Sequence, residues 1–568
     1  MNSVLVRCAV AWAIALSVGC AASSGGSSGS GGATSSSGGT GGTATGGHGD
    51  GSTATGGQGT GGTATGGRGT GAASTGGITG TGGGTASGGH GTGGGAATGG
   101  QGTGAAATGG TVGTGGSSAS GGAGGQSTTS GSGGQTVTGS GGAAGSAGAR
   151  GTGGAGGATS ACSSGTASSG DVTVALGSFQ QTMDGFGVSN AYQSTAISDA
   201  TADQFFDVNK GIGLSIFRLG IKSDGTSWGP IGDAQKAAAR GAIVWAAPWT
   251  PPASCKSNNS EKNGGHLNQS CYDSWASTLA AFPAKAKQSG VTVMGISVQN
   301  EADNQTMYES CLYTGAEMVS FIKVLGPKLK ALNPPVKLLA PESTRWERLW
   351  GADEDYGNAI LADSQAAAQV DVLATHMYET QDAVAPPAGV TQPIWVTEMS
   401  GVMGYPNAGP SADIDDGLVW AGWITDAFTT GRASAYHAWW ITSLNNDNEG
   451  LLTMSGGSTK RMYALGNFSK FIRPGYRRVD VSGTPPASVR VTAYLNPSDG
   501  TVVIVALNGG SSAVALPLFL SGSAPCALTP WVTSASDNLA SKAAVSVSGA
   551  RLAPMLPAKS VTTFVGKP

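Results

Sequence analysis

Val291-Thr-Val-Met-Gly-Ile-Ser-Val-Gln-Asn-Glu301 is a β-branched, mostly apolar run that stops abruptly in two amides and a carboxylate. Its continuous apolar character predicts a strand buried on both faces, as in a parallel sheet, because no helical stripe runs through it. Such a strand carries Asn300 and Glu301 to its C-terminal end and holds them there rigidly. Pro393-Ile-Trp-Val-Thr-Glu398 repeats the pattern. Either Glu by itself reads as an ordinary solvated or salt-bridged strand-end acid. Two of them, on rigid supports, suggest paired-carboxylate chemistry.

Outward from these two strands the chain alternates short β-rich runs with longer helical stretches. Strands are read at 183–188, 214–221, 242–247, 293–298, 336–340, 370–376, 394–397 and 435–441, and helices at 275–288, 316–332, 356–368, 418–429 and 463–472. Eight strands in strand–helix alternation predict an α/β fold, a (β/α)8 TIM barrel over 183–473. Glu301 then ends strand 4 and Glu398 ends strand 7, across the C-terminal mouth where barrels keep their chemistry. Other strand ends supply what a sugar site needs: Pro248-Trp249 after strand 3, His376-Met-Tyr378 after strand 6, and Trp439-Trp440 on strand 8. Aromatic faces lie flat on the apolar C–H faces of pyranose rings, although each ring could equally pack in the core. Strand alternation predicts that one of Trp439 and Trp440 points out of the barrel. Arg218, inside the apolar strand 2, needs a buried anion, and Glu398 is the expected partner. His376 is either a site residue or a hydrogen-bonded core residue.

The N-terminal part has a different character. Residues 1–19 read as a secretory signal, with Arg7 followed by an apolar run over 9–18. That run is too short for the ~20 residues of a spanning helix. Leu16-Ser-Val-Gly-Cys20 resembles a bacterial lipoprotein cleavage box, so Cys20 is the expected lipidation site and the one expected link to a membrane. Residues 20–168 hold most of the 100 Gly of the 568-residue chain, and Thr-Ala-Thr-Gly-Gly recurs from Thr43, Thr53 and Thr63. No apolar position exists for neighbouring repeats to bury, so a disordered tether is predicted, with a reach of roughly 65 Å. The expected location is outside the cell, surface-anchored or secreted. Disulfides form there, and Cys255 and Cys271, flanking an Asn/Gly-rich loop, are the favoured pair. Charged residues are 11% and the net charge is -3, with no basic run, which argues against a nucleic-acid partner. Neither His-Glu-x-x-His nor Cys-x-x-Cys occurs, so no metal and no cofactor is expected. A monomer acting on a polysaccharide is the expected state.

With these residues placed, the chain from about 171 to 568 resembles glycoside hydrolase family 30, in its bacterial xylanase branch. The motifs that carry the resemblance are Asp184-Gly-Phe-Gly187, Gly213-Leu-Ser-Ile-Phe-Arg218, Pro248-Trp-Thr-Pro-Pro-Ala253, Ser297-Val-Gln-Asn-Glu301, Tyr308-Glu-Ser-Cys311, Thr375-His-Met-Tyr378, Trp395-Val-Thr-Glu398 and Lys460-Arg-Met-Tyr463. The resemblance implies Glu301 as general acid/base, Glu398 as nucleophile and Asn300 as partner of the sugar 2-hydroxyl, in a retaining double displacement on β-1,4-xylan. That mechanism expects Glu301 protonated at rest and Glu398 ionised, with Arg218 helping to split the pair. Glucuronoxylan-specific members carry an Arg after the strand 8 tryptophans and a Tyr after the nucleophile. Here the residues are Ile441-Thr-Ser-Leu-Asn445 and Met399-Ser-Gly401. A xylanase independent of glucuronate branches is therefore expected. The alternatives are a glucuronoxylan-specific xylanase, a β-1,6-glucanase or glucosylceramidase-like enzyme and, in another class, a non-catalytic glycan-binding protein on a stalk.

Residues 474–568 read as short strands at 489–494, 501–507, 513–518 and 560–565, parted by turn signals such as Asp499-Gly500 and Asn508-Gly-Gly510. This predicts a β-sandwich side domain. The resemblance adds that a strand within 169–182, ahead of the barrel, completes it.

Overall fold

The computed structural model describes residue 162 and residues 164–351, 354–378, 380–401 and 411–568. The signal, Cys20 and nearly all of the expected tether lie outside them. The eight apolar runs become eight parallel strands, numbered 1 to 8 in the barrel: Gly185–Ser189, Ile216–Ile221, Ile243–Pro248, Val293–Ser297, Lys337–Ser343, Val372–His376, Ile394–Glu398 and Ala433–Thr442. Each pairs with the next, and strand 8 pairs with both strand 7 and strand 1, which closes the barrel. Both faces of every strand are covered, which is why the runs are continuously rather than alternately apolar.

The outer helices bury one stripe each. Tyr272–Gln288 turns Tyr272, Trp275, Ala276, Leu279, Phe282 and Ala286 inward, a spacing of three and four. Gly315–Lys330 opens on a capping box, Thr314 accepting the Glu317 N–H while the Glu317 carboxylate accepts the Thr314 N–H. The single helix expected over 356–368 is two, Tyr356–Ala362 and Ser364–Ala367. Asp363 caps the second, its carboxylate accepting the N–H groups of Gln365 and Ala366.

Side chains fill the barrel. Trp245 Nε1 donates to His437 Nε2 at 3.2 Å, and His437 Nδ1 donates to the Val396 carbonyl at 2.7 Å. An indole can only donate, so His437 is the neutral Nδ1–H tautomer, and burial pushes its pKa down to about 3. Gly187 makes room for it: a Cβ there would stand 2.1 Å from His437 Cδ2.

Strand 8 departs from strict alternation. Its register against strand 1 shifts between Ala438 and Trp440. A bulge of this kind re-aims neighbouring side chains. Trp439 and Trp440 consequently stack on each other, centroids 5.0 Å apart and planes at 21°, and both line the cleft described below. The expectation that one of them points out of the barrel fails for this reason.

The strand ahead of the barrel is Val172–Thr182. It lies between Arg477–Ser482, antiparallel, and Leu518–Ser521, parallel. Val489–Leu495, Val502–Asn508, Ser560–Gly566 and Ala527–Thr533 extend this β-sandwich, which encloses its own apolar core. The run expected over 513–518 is parted into Val514–Ala515 and Leu518–Ser521 at Pro517, which has no N–H for a ladder. Cys162 is bonded to Cys526, and Arg551 donates to Ser168 and Asp171, so attachment begins before residue 168. Cys255 is bonded to Cys271, and Cys311 is a buried free thiol. No helix among the described residues is long and apolar enough to cross a membrane.

Candidate active site

Asn300 and Glu301 lie in the turn just past strand 4, which is tied to strands 3 and 5 on either side. The Asn300 N–H donates to the Pro248 carbonyl at 2.8 Å and the Glu301 N–H to the Glu342 carbonyl at 2.9 Å. These bonds hold Glu301 at φ 49°, a left-handed conformation that costs a residue with a Cβ about 1–2 kcal/mol.

Arg218 is fully buried and reaches three acceptors. Its Nη1 donates to Glu398 Oε2 at 2.5 Å, and its Nη2 donates to Asn300 Oδ1 at 2.5 Å and to Glu342 Oε1 at 2.6 Å. The guanidinium carbon also lies 4.8 Å from the Trp249 ring and 5.7 Å from that of Trp439. Because Arg218 occupies the Asn300 oxygen, the Asn300 amide is oriented with its Nδ2 donor available to a ligand. Glu342 is a third buried carboxylate that the sequence reading missed. Its signal is present in Lys337-Leu-Leu-Ala-Pro-Glu-Ser343, another buried strand ending in an acid. Pro341 disguises it, since Pro ordinarily ends a strand.

His376 sits among all three acids. Its Nδ1 is 3.3 Å from Glu301 Oε1 and 3.8 Å from Glu398 Oε1, and its Nε2 is 3.7 Å from Glu342 Oε1. Burial lowers its pKa, but the three carboxylates reverse this and push it up to about 9. Burial also raises Glu301, but the His376 hydrogen bond and charge, with Asn304 and Arg218, hold its carboxyl below the usual range. Glu398 is pushed up by burial and by the charge of Glu301, against His376 and Arg218. This order reverses the resting split expected from sequence. Two facts account for it: Arg218 divides its charge between Glu398 and Glu342, and the imidazolium lies nearest Glu301.

A cleft of about 690 Å³ opens over these acids, walled by Tyr192, Trp249, Tyr308, Tyr378, Trp439, Trp440, Leu444 and Glu449. Tyr378 Oη donates to Glu398 Oε1 at 2.9 Å. Asn304 Nδ2 and Tyr308 Oη donate to Glu301 Oε2 at 3.0 and 3.4 Å. Asn300, Glu301, Trp249, Tyr378, Glu398, Trp439 and Trp440 all line the cleft, while Arg218 and His376 lie buried against the acids. Tyr192, Asn304 and Tyr308 were not expected there, because loops carry no strand-end signal. One ligand atom from each of Glu301, His376 and Glu398 lies within 4.8 Å of the others. Such a set could hold a cation, but the Arg218 guanidinium already supplies fixed positive charge among these acids.

The fold has known counterparts. Residues 188–389 match the glycosyl hydrolase family 30 TIM-barrel domain and residues 475–564 the glycosyl hydrolase family 30 beta sandwich domain. Glucuronoxylanase XynC of Bacillus subtilis (strain 168) is 33% identical over 413 residues, 70% of this chain and 92% of that protein. The crystal structure of the glycoside hydrolase family 30 subfamily 8 xylanase Xyn30A from Clostridium acetobutylicum superposes with a TM-score of 0.62 at 31% identity, over 70% of this chain and 100% of that one. Putative glucosylceramidase 1 of Caenorhabditis elegans is 27% identical over 304 residues, 47% of this chain and 56% of that protein.

Proposed function

The chain belongs to glycosyl hydrolase family 30 and is a xylanase-type glycoside hydrolase; from that premise we propose that it is a retaining endo-β-1,4-xylanase that does not depend on acidic branches. The observation that carries the retaining reading is the spacing of the two acids. Oxygens of Glu301 and Glu398 lie within 4.8 Å of each other, near the ~5–5.5 Å of retaining enzymes and short of the ~6.5–9.5 Å that leaves room for an inverting water.

In this reading Glu398, gripped by Arg218 and Tyr378, attacks the anomeric carbon and forms a glycosyl ester as the glycosidic C–O bond breaks. The leaving oxygen takes a proton from Glu301, which receives it from His376 across the 3.3 Å contact. Glu301, now a carboxylate, removes a proton from water, and the hydroxide oxygen displaces Glu398 with a second inversion. Asn300 Nδ2 donates to the sugar 2-hydroxyl, and the stacked pair Trp439–Trp440 carries sugar faces. Among the described residues no Lys or Arg lines the cleft, so they offer an acidic branch no charge-assisted partner there.

The test is reducing-sugar release from a glucuronate-branched and an unbranched xylan, with the anomer formed first read by NMR. Release from both, β-anomer first, is expected, and Glu398→Gln should lose at least about 10³-fold in kcat. Release only from β-1,6-glucan or glucosylceramide, or binding without release, would overturn the reading. An absolute need for the branch would overturn its independence. Export and surface anchoring through Cys20 complete the proposal. Cys20→Ala should move the protein from the membrane fraction to the medium, and unchanged partition would count against the anchor.

A further inference from the structure

The loop after strand 8 brings an unanswered carboxylate to the cleft. Asp447 Oδ1 accepts the Glu449 N–H at 3.1 Å, and the strand that follows at once, Gly450–Leu452, pairs with strand 8 and fixes the loop. Glu449 lines the cleft together with Trp440, Leu444 and Glu398. No cation pairs with it among the described residues. Arg461, packed beneath the loop, is committed to Asp416 and to the carbonyls of Asn448 and Gly450. Residues 402–410, whose flanking residues Gly401 and Ser411 hydrogen-bond to Asn448, contain no Lys or Arg. The charged groups whose fields reach Glu449 are Asp447 and Glu398, both acidic. The cations of the site, Arg218 and His376, are fully buried among the three acids of the cleft floor.

We propose that Glu449 is a specificity-determining residue: its carboxylate bars acidic substituents of the glycan from this part of the cleft and selects neutral chains. This rests on the xylanase reading and goes beyond it. Branch independence requires only that no cation be present, whereas Glu449 turns an acidic branch into a liability. A like charge repels more strongly in a partly desolvated cleft than in water, where solvent and salt screen it. Burial, with Asp447 and Glu398, pushes the pKa of Glu449 up to about 7. The barrier therefore weakens as pH falls through neutrality, while a uronic acid with a pKa of about 3–4 stays ionised.

The test compares kcat/KM for a linear xylo-oligosaccharide and for the same oligomer carrying one uronic-acid branch, from about pH 5 to about pH 8. Taking the ratio of the two substrates cancels titration of the catalytic acids. Wild type is expected to prefer the neutral substrate about tenfold at the alkaline end, mostly through KM, and to lose most of that preference at the acid end. Glu449→Gln should show little preference at any pH, and Glu449→Asp should keep a pH-dependent one. A preference that survives unchanged in Glu449→Gln, or that is flat with pH in wild type, overturns the role of Glu449 and leaves the xylanase reading standing. Failure of wild type to cleave either oligomer overturns both.

Discussion

Arg218 orients three side chains with one guanidinium, and that decides what its replacement does. Lys offers a point charge without the planar fork, so it cannot hold Glu398, Asn300 and Glu342 together. Arg218→Lys should cost at least about 100-fold in kcat/KM while leaving a folded protein, because a buried cation is kept. Circular dichroism alongside the kinetics checks both halves, and near-normal activity would remove Arg218 from the mechanism. His376 makes a prediction about stability. Its folded pKa of about 9 lies above the ordinary ~6.5, so its protonation stabilises the fold fully below about pH 6.5. That contribution, about 3 kcal/mol, is lost as pH rises through about 9. The denaturation midpoint of wild type should fall over that window relative to His376→Gln, and parallel curves would show that His376 is neutral. At this scale the sequence was informative where an apolar run met a charged group, just past the run for Glu301, at its end for Glu398 and within it for Arg218. It was silent on Glu342, because Pro341 breaks the pattern, and on Tyr192 and Tyr308, because loop rings carry no periodic signal. Spacing along the chain also does not show that His376 is nearest Glu301, the contact that draws the Glu301 carboxyl down.

Elements were legible in proportion to their regularity. The barrel strands show as short, mainly apolar runs, since covering on both faces leaves few polar positions, and the run at 183–188, with Asp184 and two glycines, is the least regular of them. Strand 8 is the instructive exception: alternation predicts where a side chain points only while the pleat is regular, and the register shift beside Trp439 suspends that rule. Strand 1 shows the opposite case, a residue whose smallness is demanded by a neighbour in the barrel. Gly187→Ala would drive a methyl into the His437 ring, which Trp245 and Val396 hold from both sides. The His437 ring cannot retreat without breaking one of those hydrogen bonds. A loss of about 1–3 kcal/mol is expected in chemical denaturation. An unchanged midpoint would mean that the barrel interior yields more easily than its packing implies.

The barrel and the β-sandwich share a sheet as a common wall, to which Val489–Leu495, Val502–Asn508 and Ser560–Gly566 contribute. In Val502–Asn508, Val502, Ile504 and Ala506 enter the sandwich core, while Val503, Val505 and Leu507 enter the core of the barrel. That two-sided burial is why 501–507 reads as an unbroken apolar run. The long-range closures were less legible. That a strand ahead of the barrel joins the sandwich came only from the family resemblance, its pairing with Arg477–Ser482 was not read, and nothing local in the sequence links Cys162 to Cys526 across 364 residues. Polar contacts reinforce the shared wall: Asn467 Nδ2 donates to the Trp531 carbonyl and to Thr563 Oγ1, each at 3.0 Å, and Arg490 pairs with Asp426. A wall common to two cores couples their unfolding, because neither can open without exposing apolar surface of the other. The intact protein should therefore melt in one calorimetric transition, with hydrolytic activity lost at the same temperature. Leu507→Ala removes packing from the barrel side of a strand that also builds the sandwich, at a cost of about 2–5 kcal/mol. It should shift that whole transition downward without splitting it. Two separated transitions, with activity following only one, would show instead that the sandwich is a passenger on an independently stable barrel.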